Sequence, residues 1–301
     1  MTATAALLVI FSAFMHAGWN MFSKSLSPTA GFFLLASWGT VLCFAPVFFL
    51  TIDILPLFSA AIWGKLLIAG LFQSIYYLGL AGAYRRGALS IAYPLARSFP
   101  LFILVTLAYI TGQGRDFSAA GLAGLGAIVG GAIILPMNAF RDFRLANYLN
   151  PSCAFALVAA LGTAGYSFVD DIAMNTIKGL DDASPDWARA MLYLVLESAS
   201  TALWLHFLLL FFKRSRAAFK KEYKILLKPA LQAGLAIGAT YGLVLLAMTQ
   251  AVNVSYVVGL RQLSIPIGAL LGIFVLKEKG SLPRYIGVGM LFFGLILIIL
   301  G

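Results

Sequence analysis

The chain has 301 residues, of which 61% are apolar and only 11% are charged, and its mean hydropathy is +0.95. Soluble domains carry about 25% charged residues, so this composition excludes a water-soluble globular protein. The formal net charge of +10 would suggest nucleic acid as the partner of a soluble protein. Basic residues flanking apolar segments are also what membrane topology requires, and we therefore expect no nucleic-acid partner.

Apolar stretches long enough to cross a hydrocarbon core about 30 Å thick recur along the whole chain. They form two groups of five, which we number as spans one to ten. The first group covers residues 4–22, 30–51, 62–84, 88–111 and 118–136. The second group covers residues 152–176, 189–212, 229–250, 253–276 and 282–300. The longest basic segment, 213–228, is predicted to be the loop between spans seven and eight.

The two groups share similar residues in the same order, which is typical of an internal repeat. The matched residues are Ala17-Gly18-Trp19 with Ala164-Gly165-Tyr166, Ala69-Gly70-Leu71 and Tyr77 with Ala233-Gly234-Leu235 and Tyr241, and Ser98, Pro100, Gly114 and Gly121 with Ser264, Pro266, Gly280 and Gly287. Two similar halves with an odd number of spans must lie upside down relative to one another. We predict an all-α polytopic membrane protein with ten transmembrane helices as two inverted five-helix repeats, over 1–137 and 152–301, joined by a loop over 138–151.

The distribution of basic residues predicts an orientation for these spans. Fifteen lysines and arginines fall in odd-numbered loops and four in even-numbered loops. Because cytoplasmic loops are enriched in basic residues, the charge bias places both termini outside.

Charged residues inside the spans are the first candidates for function, because each costs on the order of 3 kcal/mol to insert near the bilayer centre. Arg97 lies in span four and Arg261 in span nine, each a few residues before a matched proline. Their guanidinium groups suit carboxylate or phosphate groups. We expect at least one to contact a substrate; the alternative is that each pairs with Glu197 or an aspartate and only holds helices together.

Prolines in the same two spans predict local irregularity. Pro94, Pro100 and Pro266 each remove a backbone donor, so spans four and nine are expected to be kinked or locally opened beside a cavity. The alternative is that they reflect the general enrichment of proline in membrane helices.

Polar and aromatic side chains supply further candidates for a binding pocket or a proton pathway. The substrate-binding candidates besides the arginines are Trp19, Asn20, Tyr77, Tyr241, Tyr256 and Gln262. Each of these could instead serve an interfacial belt or an interhelical hydrogen bond. The candidates for proton coupling are Glu197, His16 and Asp170. His16 could equally be structural, and we expect Asp170 and Asp171 to be interfacial charges more than gates.

Glycines in spans five and ten allow close helix approach, which predicts tight packing there and leaves a dimer contact open. The two cysteines, Cys43 and Cys153, form no metal-binding pattern. The sequence has no phosphate-binding loop, zinc-protease motif or nucleophile elbow. We therefore expect no cofactor, no metal and no enzymatic activity, in a monomer or homodimer.

The matched prolines, together with Leu276-Lys277-Glu278-Lys279 leading into Tyr285-Ile286-Gly287-Val288 and the last apolar span, resemble the EamA family of the drug/metabolite transporter superfamily. The resemblance covers essentially the whole chain. It implies two inverted five-helix repeats, a central cavity, and secondary transport of metabolites such as amino acids, often as export. It also implies cytoplasmic termini, in contrast to the charge bias.

Together these patterns predict a secondary transporter in the cytoplasmic (inner) membrane, with export favoured, that moves a small, carboxylate-bearing solute by alternating access, while the coupling ion, for which protons are the candidate, stays open. Membrane lipids would be its other partners. The alternatives are a flippase for lipid-linked headgroups, and an integral membrane enzyme or sensor.

Overall fold

The computed structural model describes residues 2–110, 118–142, 144, 148–180, 184–211, 213–250, 257 and 260–300. Most of these residues are helical, and no β-strand occurs among them. We label the helices in chain order. They are α1 (Ala3–Ser25), α2 (Ala30–Cys43), α3 (Ala45–Leu50), α4 (Ala60–Arg86), α5 (Leu89–Ile110), α6 (Ala119–Ile134), α7 (Pro151–Lys178), α8 (Asp186–Phe211), α9 (Lys213–Thr249), α10 (Ser264–Phe274) and α11 (Leu282–Leu300). Short 3-10 helices cover Ile52–Leu57 and Phe140–Asp142.

Five helical segments are long and apolar enough to cross a membrane. They are α1, α4, α7, α8 and the part of α9 from Tyr223 to Thr249. Helices α2, α6, α10 and α11 are also apolar but contribute shorter segments. The architecture is therefore that of an all-α, multi-pass membrane protein.

Four of the helices begin where a short polar side chain accepts a hydrogen bond from the first turn. Thr2 caps α1, Thr29 caps α2, Ser118 caps α6 and Asn150 caps α7, each through its side-chain oxygen. Such caps satisfy backbone donors that have no partner inside the helix. The break between α2 and α3 lies just before Pro46, which cannot donate a backbone hydrogen bond.

Helices from the two predicted halves pack against one another. Helix α4 packs along α7 and α8, and α9 packs along α1 and α2. Helix α5 contacts α7 and α10, and α6 packs along α11. Side chains from both predicted halves therefore meet in the same hydrophobic core clusters.

The basic segment 213–228 differs from the predicted loop. It is helical and continues without interruption into the apolar part of α9, through Pro229. The segment is rich in lysine, arginine, alanine and leucine, which all have high helix propensity. With 37 residues, α9 is about 55 Å long, well beyond the thickness of a hydrocarbon core.

Candidate functional site

Arg97, on α5, is one of the largest fully buried side chains, with a relative exposure of 2%. Its polar neighbours include Tyr76, Tyr93 and Tyr166. No carboxylate oxygen of the described residues lies within 4.0 Å of its guanidinium group, and its Nε atom has no hydrogen-bond partner among them. The side chain is therefore a buried cation surrounded by phenol groups and not by an acid.

Other polar groups around Arg97 also lack partners. The Tyr76 hydroxyl and Nε2 of His16 are buried without a hydrogen-bond partner in the described part of the chain, and the Tyr93 hydroxyl has Ser264 as its partner. The His16 ring lies 6.1 Å from the Tyr93 ring, measured between centroids. Because Nδ1 of His16 accepts a hydrogen bond from Trp19 at 3.3 Å, its Nε2 is left as a donor in the neutral ring. Several buried donors therefore surround Arg97, as an anion site requires.

Arg261 lies just before α10, with its guanidinium carbon 5.4 Å from the centre of the Tyr241 ring. It is buried, its Nε has no partner among the described residues, and no carboxylate described here lies within 4.0 Å. Stacking on an aromatic face stabilises a guanidinium group. The expected alternative, an ion pair of either arginine with Glu197 or an aspartate, is thus not formed within the described residues.

Asp170, on α7, is buried in the protein core, with a relative exposure of 1%. This differs from the interfacial position that we expected. Its two carboxylate oxygens accept hydrogen bonds from the hydroxyls of Tyr193, at 2.8 Å, and Tyr241. Its neighbour Asp171 is only half-buried. Helical geometry separates adjacent side chains by about 100°, so one aspartate faces the core while the next faces outward.

Asn20 belongs to a network that links α1 to α4. Its amide donates to the His16 carbonyl at 2.7 Å, and its side-chain oxygen accepts from Tyr84 at 2.6 Å. Both hydrogen-bonding ends of Asn20 are therefore used within the protein. Trp19 is buried beside His16 with the two rings edge to face.

The prolines of α5 and α10 lie in different surroundings. Helix α5 continues through Pro94 and Pro100, and the Ser98 hydroxyl donates to the Pro94 carbonyl. In α10, Pro266 lies in the first turn, preceded by a turn in which Ile265 bonds back to the Gln262 carbonyl at 2.8 Å. The helical pattern is therefore tightened beside Arg261, whereas α5 continues past two prolines that donate no backbone hydrogen bond beside Arg97.

A small cavity lies between α2, α4, α8 and α9. Its lining residues are Ser37, Thr40, Gln73, Tyr77, Leu194, Glu197, Ser198, Thr201, Ile237 and Tyr241. Neither Arg97 nor Arg261 is part of this wall. Glu197 contributes the only acid to it, and the side chain is 3% exposed.

Cavity residues from the two halves lie at equal sequence spacings, including a match between spans two and seven that was not predicted. Ser37 and Ser198 are separated in sequence by the same number of residues as Thr40 and Thr201. Tyr77 and Tyr241 are likewise separated by the same number of residues as Gln73 and Ile237. The sequence signal for spans two and seven was present but short, because it rests mainly on small hydroxyl residues. By the same spacing, Glu197 corresponds to Ala36.

The structure brings most of the predicted site residues into two neighbouring groups. Arg97 and His16 belong to a donor-rich group with the tyrosines, whereas Glu197, Asp170, Tyr241 and Arg261 belong to a mixed group beside the cavity. Gln262 is buried, and its side-chain carbonyl has no partner among the described residues. Tyr256 lies outside the described residues. Within the described ranges, no group of three or more metal-ligating side chains occurs.

Comparison with known proteins gives a fold likeness and no family. No family model matches the chain, and no curated protein matches it. Fifteen chains of solved structures match. One of them, a crystal structure described only as that of a protein, aligns over 100% of this chain and 97% of its own, with a TM-score of 0.61 and 16% identity. At that identity the likeness concerns the fold alone, which the two chains share over their whole length.

Proposed function

We propose that this chain is a secondary active transporter that exports a small metabolite bearing a carboxylate or other anionic group, such as an amino acid. The observation that carries the proposal is Arg97. A guanidinium group that is 2% exposed, with Tyr166 as a hydrogen-bond partner and no described carboxylate within 4.0 Å, has its charge balanced by no described acid, so an anion that reaches it would bind favourably. The unpartnered donors of Tyr76 and His16 would complete the coordination of that anion.

Helix packing supports an inverted repeat with ten spans. If the two halves are exchanged, α1 corresponds to α7, α2 to α8, α4 to α9, α5 to α10 and α6 to α11. The packing of α4 on α7 then corresponds to the packing of α9 on α1. The packing of α2 on α9 corresponds to that of α8 on α4, and the packing of α5 on α7 corresponds to that of α10 on α1. Such symmetry allows one half to rock against the other around a site near the middle of the membrane.

The remaining parts of the proposal follow from the sequence resemblance and from the buried acids. We assign the chain to the EamA family, in the cytoplasmic membrane, as a monomer or homodimer. Glu197 and Asp170 are buried carboxyl groups and are the candidates for proton coupling, because a buried acid can change charge as its surroundings open to water.

Transport in proteoliposomes tests the proposal. Wild type would be compared with Arg97→Gln and Arg261→Gln for uptake and efflux of labelled amino acids and organic acids, with and without a proton gradient. Arg141→Gln, at an exposed position, is the matched control for loss of a positive charge. We expect an anionic or zwitterionic solute to be transported by wild type and the control, and to be lost in Arg97→Gln. Equal transport by a folded Arg97→Gln protein would contradict the proposal.

A further inference from the structure

Three hydroxyl groups of the cavity between α2, α4, α8 and α9 present hydrogen-bond acceptors to it. The Ser37 hydroxyl donates to the Phe33 carbonyl at 2.9 Å, and the Thr40 hydroxyl donates to the Gly234 carbonyl at 2.7 Å. The Thr201 hydroxyl likewise donates to the Glu197 backbone carbonyl at 2.9 Å. A hydroxyl that has given its proton to the backbone offers only lone pairs to the cavity.

Gln73, Tyr241 and Glu197 also present hydrogen-bond acceptors to the cavity. Gln73 donates from Nε2 to the Tyr77 hydroxyl at 3.1 Å, and its carbonyl oxygen is left without a partner among the described residues. Tyr241 donates its hydroxyl proton to Asp170. Glu197 Oε2 is also buried and has no partner in the described ranges. The described lining therefore combines one carboxylate with several free acceptors, beside the hydroxyls of Tyr77, which accepts from Gln73, and Ser198.

Tyr241 is a hydrogen-bond partner of the Glu197 carboxyl group, whereas Glu197 Oε2 has no partner among the described residues. Asp170 is satisfied by Tyr193 and Tyr241, and it adds negative potential near Glu197. Arg261 is the basic group nearby, but its guanidinium stacks on Tyr241 and lies more than 4.0 Å from any described carboxylate. A ligand with several polar hydrogens and a positive charge would satisfy the site.

We propose that this cavity binds the ammonium group of the transported solute at the carboxylate of Glu197. An ammonium group has three donors and no acceptor, which complements Glu197, Gln73 and the serine and threonine oxygens. Tyr77 and Tyr241 line the same cavity, and aromatic rings favour organic cations through cation–π attraction. A divalent metal ion would require several oxygen ligands, usually including more than one carboxylate.

Glu197 has no acidic counterpart in the first half of the chain, so the described cavity lining holds one ammonium subsite. The matched residue in the first half is Ala36, while the surrounding hydroxyls and tyrosines occur in both halves. Glu197 and Gln73 therefore have no matching polar residue in the opposite half, where Ala36 and Ile237, respectively, lie at those spacings. The ammonium subsite rests on the proposed function. Together with Arg97 it predicts a zwitterionic substrate, whose anionic end binds Arg97 and whose cationic end binds Glu197.

Thermal unfolding of the purified full chain with simple probes tests the two ends separately. The probes are butylammonium chloride, sodium butyrate, γ-aminobutyrate and sodium chloride at equal ionic strength. The variants are Glu197→Gln, Arg97→Gln and Asp171→Asn, the last as a control that removes a half-buried acid. We expect butylammonium to raise the Tm of wild type, Asp171→Asn and Arg97→Gln. In Glu197→Gln its apparent affinity should fall by about tenfold or more, as expected for loss of a charged hydrogen-bond partner.

Equal stabilisation of wild type and Glu197→Gln by butylammonium, or none in wild type, would overturn the subsite. So would a Glu197-dependent shift that sodium chloride reproduces in full, because the ligand would then be an alkali metal ion. If Glu197→Gln does not fold, Gln73→Met removes the second free acceptor and should also weaken butylammonium. If butyrate shifts the Tm of wild type and Arg97→Gln equally, while butylammonium still stabilises wild type, the anion site is rejected and the ammonium subsite is retained.

Discussion

Gly131 on α6 and Gly287 on α11 meet backbone to backbone. A Cβ atom added to Gly131 would lie 2.7 Å from the Gly287 carbonyl oxygen, and one added to Gly287 would lie 2.9 Å from the Gly131 carbonyl oxygen. Both distances are too short for any side chain. The glycines predicted to pack spans five and ten therefore join these two helices within one chain, and close approach of this kind is a general basis of helix association in membranes.

Gly287→Ala should therefore destabilise the protein. The added methyl group must push α6 and α11 apart, and overpacking of this kind lowers the free energy of unfolding by about 1–3 kcal/mol. Gly289→Ala is the matched control, because nothing lies within 4 Å of a Cβ at that position on the same helix. Thermal unfolding in detergent should show a lower Tm for Gly287→Ala alone. Equal Tm values for the two variants would contradict this packing.

Glu278 links the segment after α10 to the start of α5. Its carboxylate accepts hydrogen bonds from the backbone amides of Leu89, at 2.6 Å, and Ser90, at 2.9 Å. A carboxylate at a helix N-terminus satisfies free donors and interacts favourably with the helix dipole. We expect Glu278→Ala to lower the free energy of unfolding by about 1–3 kcal/mol, and Glu278→Gln to lower it less. Lys279→Ala, at an exposed position, should leave the Tm unchanged, whereas a similar fall in both would argue against a specific cap.

Much of this fold follows from hydropathy. Each of the ten apolar stretches contains a helix, because a run of apolar residues in lipid must satisfy its backbone internally. The bounds of α9 were wrong, since a loop was inferred from charge over 213–228 while helix propensity favours a helix there. Basic residues indicate contact with water or headgroups, and they do not indicate where a helix ends.

The site was less predictable than the spans. Arg97, Arg261 and Glu197 were identified from their positions within the spans, and all three are buried. The burial of Asp170 was missed because it depends on which side of α7 faces α8 and α9. That orientation is set by tertiary contacts with Tyr193 and Tyr241. Adjacent aspartates give no sequence signal that separates the buried one from the half-buried one.

Asp170 and Asp171 give a direct test of that difference. Asp170→Asn replaces one acceptor of a charged hydrogen-bond pair by an amide N–H group, so it should lower the free energy of unfolding by about 1.5–3 kcal/mol. Asp171→Asn changes the charge by the same amount at a half-buried position and should change stability by less than about 0.5 kcal/mol. Thermal unfolding of both variants in the same detergent measures the contrast. A larger loss in Asp171→Asn would mean that the aspartates have the opposite roles.

Lys24 and Lys178 make matching contacts at the ends of four helices. Lys24 Nζ, on α1, donates to the Tyr84 carbonyl near the end of α4 at 2.5 Å, and Lys178 Nζ, on α7, donates to the Met248 carbonyl near the end of α9 at 2.6 Å. Tyr84 and Met248 have the same spacing as Tyr77 and Tyr241. In a ten-span inverted repeat, these two contacts lie on opposite faces of the membrane, because α1 would be the first span and α7 the sixth.

Cysteine labelling from one side of the membrane tests this arrangement. Ser25→Cys and Gly179→Cys, at exposed positions next to the two lysines, would be made in a background that lacks Cys43 and Cys153. We expect a membrane-impermeant maleimide added outside intact cells to label one of the two positions and not the other. Labelling of both from the same side would contradict the inverted ten-span topology. The position that reacts also decides the orientation, since Ser25 labelled from outside would place α1 with its N-terminus in the cytoplasm.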